Sequence, residues 1–154
     1  MFNFIWRFAD FFVILEPSNN KIMENKNTDR VTPALITELK EDEIFVFGSN
    51  IHGMHGGGAA WIAYKKFGAE MGNGEGLQGQ SYALPTMEGL ESTKKAVDNF
   101  IECAKAHKEL TFLVTPVGCG IAGYTPEEIA PMFQDATGLE NVYLPITFWK
   151  ILKG

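Results

Sequence analysis

Ile44-Phe45-Val46-Phe47-Gly48-Ser49-Asn50-Ile51-His52-Gly53-Met54-His55-Gly56-Gly57-Gly58 is the stretch that decides the fold. Four apolar residues without alternation read as a strand buried on both faces, the habit of a parallel sheet. Gly48 stops the strand, and the glycines at 56–58 open onto a helical pattern that begins Ala59-Ala60. Working outward, three more short apolar runs share this character: Tyr82-Ala83-Leu84 before Pro85, Phe112-Leu113-Val114 before Pro116, and Val142-Tyr143-Leu144 before Pro145. Helical patterns lie between them. Ala59, Ile62, Ala63 and Phe67 share one face, with Gly68 as the stop. From about Ser92 the residues Ala96, Val97, Phe100, Ile101 and Ala104 recur at helical spacing. Thr125-Pro126-Glu127-Glu128 is a capping box with proline at the first helical position, after which Ile129, Met132 and Phe133 face inward. Strand alternating with helix predicts an α/β fold, a three-layer α/β/α sandwich around a mostly parallel central sheet.

The chain has 154 residues, 45% hydrophobic and 21% charged, enough for one domain with a core. Its net charge is −6 and no basic stripe offsets it, which argues against binding a nucleic-acid backbone. The two cysteines, Cys103 and Cys119, have no metal spacing and make no disulfide scaffold, so a cytoplasmic location is expected. No metal or cofactor is expected. Residues 1–30 read as an N-terminal extension and linker outside the core, and residues 31–154 as the domain. Phe2, Phe4, Trp6, Phe8, Phe11 and Phe12 make the extension aromatic, but Arg7 and Asp10 interrupt it. It suits neither a signal peptide nor a spanning helix, which needs roughly 20 apolar residues. The alternative is a short amphipathic helix packed on the domain or on a partner.

In open α/β sheets, ligands bind at the carboxyl ends of the strands. Two loops there carry glycines: 48–58, and Val117-Gly118-Cys119-Gly120-Ile121-Ala122-Gly123-Tyr124. Glycine lets a ligand approach the backbone, and a helix opening from such a loop points free N–H groups at an anion. The alternative is that the glycines only make tight turns. No GxxxxGK[ST] exists, and the dinucleotide fingerprint fails because its third small position falls on Trp61.

The strand ending Gly48-Ser49-Asn50, the glycine-rich helix entry, and Gly120-Ile121-Ala122-Gly123-Tyr124 before a Pro-Glu-Glu helix resemble a macro domain, most closely a bacterial and phage branch of macro-like proteins. The likeness runs from about Ile44 to Leu144. It implies binding of ADP-ribose or a related nucleotide derivative. Hydrolysis of ADP-ribosyl linkages is the alternative activity, and a protein-interaction domain on the same scaffold is a third reading. By the resemblance, Asn50 bonds the distal ribose, Gly56, Gly57 and Gly58 line that ribose and the diphosphate, and Gly118 through Tyr124 wrap the phosphates from the other side. Gly48 and Ser49 complete the expected ligand-binding set. The partner expected is an ADP-ribose-like small molecule or an ADP-ribosylated substrate, with no membrane. The family's Gly-Asp-Ile, whose aspartate reads the adenine amine, has no clear counterpart here, and Ala122 replaces the usual aromatic.

Asn50 and His55 are the candidate catalytic residues. Asn50 offers an amide to sugar hydroxyls, or else holds its own loop in an Asx-type turn. His55 serves as a general base or phosphate donor, or else is a surface histidine. His52 reads as exposed, and the two histidines lack the further ligands a metal needs. Cys119 reads as small-residue packing against the ligand, although a nearby helix N-terminus would lower its pKa. Cys103 reads as structural, and Glu127 and Glu128 as capping residues. The polar segment 72–80 is either a lid or an exposed turn. Deletion of residues 1–22 is expected to leave folding intact, as circular dichroism of the truncated chain would check.

Overall fold

The computed structural model describes residues 29–153, and Val31–Gly154 is a compact unit. The readings of the aromatic N-terminal stretch and its linker fall outside the described residues. The apolar runs form strands as their β-branched and aromatic content dictates. In chain order the elements are β1 (Glu43–Ser49), α1 (Gly58–Lys66), β2 (Gly76–Gln78), β3 (Ser81–Pro85), α2 (Leu90–Ala106), β4 (Thr111–Val114), α3 (Pro126–Ile129), a 3-10 helix (Ala130–Ala136), β5 (Val142–Tyr143) and α4 (Ile146–Lys153). The fold is α/β, with a mixed, mostly parallel five-stranded sheet in the order β2-β3-β1-β4-β5. β1 is central. It runs parallel to β3, with Phe47 opposite Ala83, and parallel to β4, with Ile44 opposite Phe112. β5 continues the parallel set beyond β4, and Val31 adds an isolated parallel bridge to Leu144.

Successive side chains of a strand point to opposite faces. Ile44 and Val46 therefore join one apolar cluster and Phe45 and Phe47 another. The first cluster takes in α2, the 3-10 helix and α4. Its hub is Phe100, fully buried, with edge-on contacts to Tyr82 at 5.2 Å and Phe112 at 5.4 Å. The second cluster is smaller and gathers Ala60, Ala63 and Phe67 from α1 and its end. The inward positions read from the α2 spacing are all buried.

Several elements differ from the sequence reading. Ile62 is 40% exposed, and Ala60 takes the inward place instead. The third helix keeps its capping box but is α-helical for only four residues before it tightens to 3-10. Pro131, inside that run, has no N–H to give an i−4 carbonyl. Pro145 not only stops β5 but starts α4, its carbonyl accepting from Phe148 and Trp149 N–H. The segment 72–80 is neither lid nor plain turn. It supplies the antiparallel edge strand β2 and a crossing in which a Cβ on Gly79 would lie 2.6 Å from the Gly68 Cα. Those two glycines are there for close backbone approach. No helix among the described residues is long and apolar enough to cross a membrane.

Because Phe100 joins sheet and helices in one cluster, Phe100→Ala is expected to destabilise the fold by about 3–5 kcal/mol. A urea unfolding midpoint that stays at the wild-type value would contradict that role.

Candidate functional site

β1 feeds toward β3 on one side, and β4 feeds toward β5 on the other. The chain thus leaves two adjacent parallel strands in opposite directions, the arrangement that opens a crevice at the strands' carboxyl ends. A cavity of about 310 Å³ lies there, lined by residues of both glycine loops, Gly57 and Gly120 among them. The two loops come close together at Gly48. A Cβ at this position would sit 3.3 Å from Thr86 Oγ1 and 3.5 Å from the Gly118 nitrogen.

Of the residues expected at the site, Gly48, Ser49, Asn50, Gly57, Gly58, Gly118, Gly120, Ile121 and Ala122 line the cavity. His55, Gly56, Cys119, Gly123 and Tyr124 do not. Eight further residues do line it: Met54, Ala59 and Ala60 on one side, Thr86 and Met87 after β3, and Thr115, Pro116 and Val117 after β4. The register pairing Ser49 with Pro85 carries Thr86 to the same sheet edge as Asn50. In the sequence, only the strand–proline ending of β3 signals this.

Among the described residues, none of the lining side chains is ionisable. An anion there would meet backbone amides and neutral polar side chains rather than a charged group. The first turn of α1 lines the cavity, contains no acidic residue, and has Gly57 at its N-cap with no side-chain cap. Its amide groups are left to a ligand or to water. The second loop is different. Its helix is one turn long and already capped, with Glu128 N–H donating to Thr125 Oγ1 at 3.2 Å and Thr125 N–H donating to Glu128 Oε1 at 2.9 Å. That loop contributes backbone alone.

The first loop is held by its own polar groups. Asn50 Nδ2 donates to the Met54 carbonyl at 3.2 Å, while its Oδ1 accepts from Met54 N–H at 3.1 Å. Ser49 Oγ donates to the Gly74 carbonyl. His55 is fully buried, neither on the surface nor at the cavity. Its Nε2 donates to the Asn73 carbonyl at 3.1 Å, and its ring stands edge-on to Phe47 at 5.1 Å. His55 therefore ties the loop to the segment before β2 and touches nothing in the cavity. His52 is exposed, as its sequence context suggested.

Tyr124 packs partly buried against the main core, and its N–H closes the second loop on the Gly118 carbonyl at 2.9 Å. Cys119 packs on the same core, where burial pushes its thiol pKa up and Glu127 and Glu128 push it further. The expectation of a lowered pKa is reversed, because burial disfavours the thiolate and the carboxylates of Glu127 and Glu128 disfavour it further. Cys103 is likewise raised by burial and packs in α2, as a structural cysteine does. No group of three or more His, Cys, Asp or Glu suited to a metal occurs among the described residues.

No protein-family model matches the chain, and neither curated proteins nor solved structures yield a match.

A raised thiol pKa means less thiolate at any given pH. In a Cys103→Ala background, Cys119 is expected to alkylate more slowly at neutral pH than a small-molecule thiol. Its rate should climb only above the ordinary thiol range. An alkylation rate faster than the small thiol's would show an activated cysteine instead.

Proposed function

We propose that this domain binds ADP-ribose or a related nucleotide derivative in the cavity between its two glycine-rich loops, on a three-layer, macro-like α/β/α scaffold. The observation that carries the reading is that both loops line one cavity in which, among the described residues, no side chain is ionisable and the amides opening α1 are uncapped. The two apolar clusters on opposite faces of β1 support the layering. Gly57 and Gly58 would let a diphosphate lie against the start of α1, and Gly118 to Ala122 would close over it. A helix N-terminus contributes about 0.3–1 kcal/mol to a nearby anion, and up to about 2 kcal/mol where partly buried. Several backbone hydrogen bonds to charged oxygens add to that.

Binding is favoured over hydrolysis because no ionisable side chain of the described residues lines the cavity and His55 is buried outside it. A hydrolase built on this site would need a water held by the ligand's own phosphate. The rim residues Met54, Met87 and Ile121 are exposed, Ile121 at 83%. Such a rim suits a ligand carried on a protein, as an ADP-ribosylated substrate would be. A reducing cytoplasm belongs to the same reading.

Gly57→Val tests it. Gly57 has φ −160°, extended backbone open to any residue, and an added Cβ meets nothing within 4 Å. The variant is therefore expected to fold, and its side chain to fill ligand space. Calorimetric titration should show ADP-ribose binding by the wild type and none by Gly57→Val. Asn50→Ala should weaken binding only several-fold, by loosening the turn on Met54, at about 0.5–1.5 kcal/mol per hydrogen bond lost. A wild type that takes up no ADP-ribose at millimolar concentration would sink the reading.

A further inference from the structure

The first loop is stitched to the segment before β2 at several places. Gly72 N–H donates to the Gly53 carbonyl at 2.9 Å, His55 Nε2 donates to the Asn73 carbonyl at 3.1 Å, and Ser49 Oγ donates to the Gly74 carbonyl. One further stitch is of another kind. The His55 N–H donates to the thioether sulfur of Met71 at 3.3 Å. A thioether is a weak acceptor, and of these groups it is the one that a mild oxidant changes. Met71 is 45% exposed, so an oxidant reaches it from solvent, while His55 on the other side of the bond is fully buried. The other methionines among the described residues are placed differently. Met54 and Met87 lie exposed on the cavity wall, and Met132 packs partly buried against the main core.

We infer that Met71 is an oxidation site whose conversion to the sulfoxide unlatches the first loop, and so makes the cavity responsive to peroxide. In that step one oxygen of hydrogen peroxide bonds to Sδ and the O–O bond breaks. Sulfur gives up two electrons, and the second oxygen leaves as water with both hydrogens of the peroxide. Sulfur has two lone pairs. An oxygen on the pair facing His55 would have to fit into a 3.3 Å gap, although an N–H···O contact needs about 2.7–3.2 Å by itself. An oxygen on the other pair leaves sulfur positively polarised against the N–H. Either way the bond is lost, and the exposed side chain has room to swing outward. The buried His55 N–H then has no acceptor, which the chain relieves by opening the loop to water. Met54 directly before His55 and Gly57 just after it line the cavity, so the opening moves the cavity wall. Reduction of the sulfoxide closes the latch again. The latch acts on the loop whatever ligand the cavity takes, and so does not depend on the nucleotide reading above.

The test follows amide hydrogen exchange by NMR in the full chain before and after hydrogen peroxide. It uses a Met54→Leu/Met87→Leu/Met132→Leu background, swaps that conserve volume, and mass spectrometry locates the added oxygen. Oxidation at Met71 should speed exchange of the His55 amide by more than about tenfold. The amides of α2 around Phe100 should exchange as before. Methionine sulfoxide reductase with its reductant should restore slow exchange at His55. Met71→Leu in the same background should exchange fast at His55 from the start and give no response to peroxide. The wild type compared with Met71→Leu alone serves if the background does not fold. Slow His55 exchange that survives full oxidation of Met71, or that persists in Met71→Leu, overturns the latch. So does oxidation that speeds exchange throughout α2, since that is loss of the whole fold. ADP-ribose, where it binds, should bind the oxidised protein about three- to tenfold more weakly than the reduced one. Equal affinity overturns the coupling to the cavity. A chain that binds no ADP-ribose fails the nucleotide reading, and the exchange result alone then decides the latch.

Discussion

The approach of the Gly118 backbone to Gly48 governs the rest of the site. β1 and β4 are parallel neighbours, and beyond their paired residues the two chains turn away from each other. They stay close for one step more, and at Gly48 a Cβ would lie tight against Thr86 Oγ1 and in ordinary contact with the Gly118 backbone. The strand ends are fixed beside it by Thr115 Oγ1 donating to the Val46 carbonyl at 2.7 Å, and by Thr86 N–H donating to the Ser49 carbonyl at 2.9 Å. A side chain at position 48 would press on Thr86 at the strand ends, whereas one at position 57 meets open space.

What the described lining of the cavity offers is fixed dipoles rather than mobile charges. A net charge of −6 would oppose an anionic ligand at long range. Oriented amide groups at the start of α1 act at short range, where screening is weakest, and need no side chain to be ordered on binding. The two loops divide this work unequally. The first opens an uncapped helix, and the second is already closed on itself by Thr125 and Glu128.

The polar residues of the first loop serve its shape. Asn50, Ser49 and His55 each bond to backbone: Asn50 within the loop, Ser49 and His55 to the segment before β2. A loop so rich in glycine has much conformational entropy to lose on folding. These bonds, with the His55 ring against Phe47, hold it in one form before any ligand arrives. Preorganisation of this kind lowers what binding must spend on ordering the loop.

The sequence by itself determined the parallel strands, the inward face of α2 and the capping box at Thr125. Each follows from local pattern: apolar runs bounded by glycine or proline, helical spacing, and a cap signature of four residues. Tertiary structure decided what depends on pairing across the chain. His55 is buried because a segment some eighteen residues later offers it a carbonyl. Gly76–Gln78 is a strand because β3 lies beside it. Thr86 reaches the cavity through sheet register, and Thr32 is held at the end of β5 by its N–H bond to the Leu144 carbonyl. Local propensity carries no record of such partners, since the free energy of each contact resides in two segments that meet only when the sheet forms.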